Sequence, residues 1–169
     1  TPLGLLIYSR DWAHFSPSMV ERLATIPNLV AWKDGQGDIR RLQSIMNRVG
    51  DRLRWIGGAG DDMVAAYYGA GIRAFTSSVA SVTPRLSLRL DELAANGRNE
   101  ELAELLRCCV IPLYSIRSRR KGYEVSTMKV LMDLSGWHGG PVRPPLVNVT
   151  DDETSELRAV LESWQPFLK

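Results

Sequence analysis

An α/β fold of parallel strands joined by helical crossovers, forming part of a barrel, is predicted by three observations. Apolar runs of strand length begin near Leu5, Leu29, Leu53 and Ile72, at intervals of 24, 24 and 19 residues. Segments with apolar residues at helical spacing fill the gaps, and strand-helix-strand units of that size imply parallel strands with right-handed crossovers. Glycines follow the strands at Gly35, Gly37, Gly57, Gly58 and Gly60, yet none makes the GxGxxG spacing that opens a nucleotide-binding helix. That combination favours a barrel over a dinucleotide-binding sheet.

The elements follow in order. Gly4 to Tyr8, GLLIY, is a strand-length apolar run, followed by a polar loop over Ser9 to His14. Ser16-Pro17 offers an N-cap with proline at the first helical position, and Met19, Leu23 and Ile26 continue at helical spacing until Pro27. After the strand Leu29 to Trp32, a helix is expected from Asp38, with Ile39, Leu42, Ile45, Met46 and Val49 on one face and Gly50 as C-terminal cap. A third strand, Leu53 to Ile56, leads through Gly57 to Asp61 into a short helix over Met63 to Tyr68. A fourth strand is expected at Ile72 to Thr76. From Pro84 onward the pattern is helical: Leu86, Leu90 and Leu93; then Glu100 to Ile116, which Pro112 should kink or shorten; then Lys121 to Ser135. Thr150, with Glu153 at the capping-box position, starts a last helix whose apolar face is Leu157, Val160, Leu161 and Trp164. No linker interrupts the chain, so one domain is expected. Its barrel part covers residues 1–83, and the last barrel helix with a helical appendage covers 84–169.

Composition narrows the function classes. The net charge of +2 over 169 residues is small, and the cluster Arg117, Arg119, Arg120 and Lys121 is too short and poor in aromatics to argue for nucleic acid. Cys108 and Cys109 are adjacent in a helical pattern with no third cysteine or clustered histidine, so no metal site is expected. No apolar stretch approaches the length that spans a bilayer, and no signal-peptide pattern is present, which makes the cytoplasm the default.

Working groups in βα barrels sit at the C-terminal ends of strands. Lys33 is the residue to explain, since it closes the apolar run NLVAW, where burial disfavours an ammonium and favours a nucleophilic amine. The bland alternative is a lysine that snorkels to water. Tyr8 stands 25 residues earlier, about one βα unit, so the two should terminate neighbouring strands. A phenol beside an amine can relay the protons that imine formation needs; the bland alternative is a core tyrosine bonded to backbone.

Five stretches together resemble one family: YSRD at Tyr8 to Asp11, LVAWKDGQGD at Leu29 to Asp38, IGGAGD at Ile56 to Asp61, RSRRKGY at Arg117 to Tyr123, and GPVRPPL at Gly140 to Leu146. They look like the dihydrodipicolinate synthase and N-acetylneuraminate lyase superfamily, and within it the branch acting on 5-dehydro-4-deoxy-D-glucarate. The resemblance implies a TIM (β/α)8 barrel of which this chain supplies the second half, strands 5–8, plus C-terminal helices. It implies a lyase that dehydrates and decarboxylates its keto sugar acid to 2,5-dioxopentanoate in glucarate catabolism. Lys33 becomes the Schiff-base lysine and Tyr8 the proton relay, with Arg10, Gly57, Gly58 and Ser77 as substrate contacts and no cofactor beyond the covalent imine. Ser9 departs from the asparagine usual after this tyrosine.

Four strands cannot close an eight-stranded barrel, and they leave edges and an apolar interior open. The expected partners are therefore the missing N-terminal half and further copies of the chain in a homo-oligomer. An isolated chain is expected to aggregate or pair and to lack turnover. Two other readings stand beside the dehydratase: a sister aldolase or lyase acting on another 2-keto acid, and a non-catalytic fragment for which Lys33→Ala would change nothing.

Overall fold

The computed structural model describes residues 2–168. By internal packing the chain divides into two compact units, one ending at Thr76 and the other starting at Ser77.

The first unit is built on parallel strands in the order β1 (Leu5–Ser9), β2 (Leu29–Asp34) and β3 (Arg54–Gly57). The crossovers are α1 (Pro17–Leu23) and α2 (Ile39–Val49), with α3 (Val64–Gly69) following β3. Local chemistry accounts for the helix starts. The Ser16 hydroxyl accepts from the Met19 N–H ahead of Pro17, and the Asp38 carboxylate accepts from the Arg41 N–H, so each cap satisfies a donor the helix leaves open. Gly50 ends α2 at φ +62°, a left-handed conformation that glycine adopts without a Cβ penalty. In β2, Leu29, Ala31 and Trp32 are buried while Val30 is half exposed, so burial does not follow strict alternation. The Trp32 ring packs edge-on against Phe15 at 5.1 Å.

The expected fourth strand is reduced to one bridge. Gly57 pairs with Phe75, the Gly57 N–H donating to Ala74 O and the Thr76 N–H to Gly57 O, and no longer ladder forms among the described residues. Before the bridge the two segments part, and a cleft lined by Arg54, Trp55, Ile56, Ile72, Arg73 and Ala74 lies between them.

The second unit is helical: α4 (Pro84–Ala95), α5 (Asn99–Leu105), α6 (Ile111–Arg117), α7 (Tyr123–Leu134) and α8 (Asp151–Ser163). Leu86, Leu90, Leu93, Leu113, Leu131, Leu157 and Trp164 form its core. The irregularity expected from Pro112 takes a specific form, a π-helical turn over Leu106–Val110 between α5 and α6. Proline has no N–H to close an α-helical bond and its ring crowds the preceding turn, so the chain takes up the mismatch with one wide turn. Cys109 is buried there and Cys108 is half-buried. The capping box of α8 forms in full, with Thr150 and Glu153 each accepting from the other's backbone N–H. No described helix is long and apolar enough to cross a membrane.

Candidate active site

Residue pairing between β1 and β2 sets Tyr8 directly beside Lys33, so the two side chains leave neighbouring strands at the same level. The Lys33 amine lies 4.0 Å from the centroid of the Tyr8 ring, a cation–π arrangement that holds a protonated amine against an aromatic face. Both residues are partly accessible. The Tyr8 hydroxyl donates to Gly58 O at 3.2 Å, which is the backbone bond expected of a core tyrosine, and it also accepts from Arg10 Nη1 at 3.4 Å. Arg10 is exposed, pairs with Asp11 at 3.4 Å, and extends over the Tyr8 ring. Ser9 is buried and donates to Ala13 O, fixing the loop that follows β1.

The glycines are explained by what surrounds them. A Cβ on Gly58 would stand 2.5 Å from Lys33 Cε and 2.8 Å from Asp34 O, so the bare backbone is the surface on which the lysine stem lies. A Cβ on Gly57 would stand 2.4 Å from the Tyr67 ring, and one on Gly35 would stand 2.6 Å from the Tyr8 ring. Ser77 belongs to the second unit, where its hydroxyl bonds Ser87 Oγ at 2.5 Å and accepts from the Ala80 N–H.

Two residues beside this group had no role in the sequence reading, Asp34 standing there only as one of the strand-end residues. Asp34, which follows Lys33, is buried, and its carboxylate accepts from Gly37 N at 3.1 Å and Gln36 N at 3.4 Å. Tyr67, on α3, is fully buried and donates to Asp34 Oδ2 at 2.8 Å. Burial first, then the Asp34 charge, pushes the Tyr67 phenol well above the usual tyrosine range, so it stays a protonated donor. An aspartate two and three residues ahead of turn N–H groups is a readable Asx signal; the Tyr67 contact spans 33 residues and has none.

Comparison with known proteins sets this geometry in context. A profile of the Dihydrodipicolinate synthetase family matches residues 1–164, nearly the whole chain. The chain belongs to that family. It is 34% identical over 163 residues to a probable 5-dehydro-4-deoxyglucarate dehydratase of Pseudomonas savastanoi pv. phaseolicola, covering 95% of this chain and 54% of that protein. A protein of the same name from Bradyrhizobium diazoefficiens is 35% identical, with 95% and 52% covered. Among solved structures, the dihydrodipicolinate synthase of Oceanobacillus iheyensis superposes with a TM-score of 0.87 at 28% identity, over 96% of this chain and 55% of that one. A putative dihydrodipicolinate synthetase from Pseudomonas aeruginosa, at 21% identity and a TM-score of 0.86, shows the fold alone. This family member thus has the α/β architecture of part of a TIM-type barrel, and it spans about half the length of the curated relatives it matches.

Proposed function

We propose that this chain carries the amine-bearing half of a Schiff-base lyase, one that dehydrates and decarboxylates 5-dehydro-4-deoxy-D-glucarate to 2,5-dioxopentanoate. The observation that carries the reading is the pairing of Lys33 with Tyr8 at the C-terminal ends of adjacent parallel strands, with the amine on the phenol's face. An amine there attacks the keto carbon, and the carbinolamine loses water to give an imine. The protonated imine draws electrons from the adjacent carbon, which favours removal of a proton, departure of a hydroxyl group as water, and release of carbon dioxide. Tyr8 carries protons to and from the carbinolamine oxygen. Arg10 meets the substrate's negative charge, and Gly57 and Gly58 leave room for the lysine stem and the bound chain. The covalent lysine imine replaces an organic cofactor, and the other half of the barrel completes the site.

A sister activity on another 2-keto acid is the second reading, favoured by the likeness to a solved dihydrodipicolinate synthase. Fold alone does not separate the two. Incubation with a keto acid and borohydride, followed by intact mass and peptide mapping, tests the common chemistry. A reduced adduct on Lys33, absent in Lys33→Ala, is the expected result, and an adduct elsewhere or none at all counts against the imine. Carbon dioxide released from 5-dehydro-4-deoxy-D-glucarate, by this chain combined with the first half of a related barrel, separates the dehydratase from the sister lyases.

A further inference from the structure

The Tyr67 hydroxyl lies where three segments of the first unit meet. It donates to Asp34 Oδ2 at 2.8 Å, lies 3.2 Å from Asp34 O, and accepts from the Ala59 N–H at 3.1 Å. Asp34 ends β2 next to Lys33, and Ala59 belongs to the loop after β3. One buried phenol thus ties the end of the lysine's own strand to the turn on which the lysine stem rests. The Tyr67 ring fills the space beside Gly57, and the Lys33 stem fills the space beside Gly58. The opposite wall is tied as well, since Tyr8 donates to Gly58 O and Gly35 N donates to Ser9 O at 2.7 Å.

We propose that Tyr67 is a positioning residue for Lys33, holding Asp34 and the Gly57–Ala59 turn so that the amine stays over the Tyr8 ring. For its effect on imine formation, this rests on the Schiff-base reading above; its effect on the placement of the amine does not. A buried phenol that keeps its proton, facing a buried carboxylate with two further backbone donors, is a fully satisfied polar network, and such networks define one geometry. Removing the hydroxyl leaves a carboxylate oxygen and the Ala59 N–H short of a partner in a buried place. The strand end and the turn then separate, and the lysine stem loses its floor.

Two measurements on the purified chain test this, in Tyr67→Phe and, as an independent break of the same bond, Asp34→Ala. The first is trace acylation of amines with peptide mapping, with Lys121 and Lys129 as internal references. Labelling of Lys33 should rise about threefold as the side chain escapes its cradle, with the reference lysines unchanged. The second is borohydride trapping with pyruvate over a range of concentrations. The maximal rate of adduct formation on Lys33 should fall about tenfold or more, with the half-saturating concentration shifted far less, the pattern of lost alignment. In the double variant the two losses should fall well short of additive. Unchanged labelling of Lys33 in both variants overturns the proposal, whatever happens with pyruvate. A labelling rise in variants of a chain that forms no adduct keeps the positioning role and removes the Schiff base instead.

Discussion

At Gly57 and Gly58 the absence of a side chain is the structural requirement. Gly57→Ala puts a methyl 2.4 Å from a Tyr67 ring that is fully buried and bonded at its far end, so the ring cannot step aside. Overpacking of this kind costs about 1–3 kcal/mol, and chemical denaturation should show a loss in that range. Gly69→Ala is the control, because its added methyl meets nothing within 4 Å and it ends a helix, where alanine is the better helix former. Stability equal to or above wild type is expected there. Gly58→Ala presses instead on Lys33 Cε and Asp34 O, and its effect should appear first as slower borohydride trapping of Lys33. The residue scale is also where the sequence was most and least informative. The spacing of one βα unit was enough to place Tyr8 beside Lys33. Nothing in an alanine-rich helical stretch marked Tyr67 as the partner of Asp34, because that contact depends on how α3 returns to the sheet.

Elements with chemical punctuation were legible. Ser16-Pro17, Asp38 and the Thr150/Glu153 pair each start a helix where expected, since a cap is a local bargain between one side chain and nearby N–H groups. Thr150→Ala should lower the stability of the folded chain by about 1 kcal/mol in denaturant titration. The Glu153 carboxyl titrates below its ordinary range, first because the Thr150 N–H donates to it and also because the Tyr123 hydroxyl does. A carboxyl depressed in the folded state contributes stability above its unfolded value and loses it as pH falls through the folded one. Melting curves of wild type and Glu153→Gln should therefore differ at neutral pH and converge in acid. Where no punctuation exists, the reading failed. Ile72 to Thr76 has a strand's composition, but a strand is made by its neighbour, and this segment meets β3 only at Gly57 before a cleft separates the two. Pro112 announced a disturbance without saying that it would be taken up one turn earlier, over Leu106–Val110.

At the scale of the whole molecule, the chain spans about half the length of its curated relatives, and β1 carries Leu5 and Leu6 at 43% and 48% exposure. Exposed apolar side chains on a parallel edge strand favour association. Sedimentation of the isolated 169-residue chain should show concentration-dependent self-association, and turnover should be absent until the first half of a related barrel is supplied. Normal turnover by a monodisperse monomer would refute both expectations. The division at Thr76 and Ser77 has a consequence for inheritance. The amine, the phenol beside it, the glycine pair and the Tyr67–Asp34 bond are all encoded upstream of that junction. A gene recombining there would receive every bond described around Lys33 from one parent and its helical sequence from another.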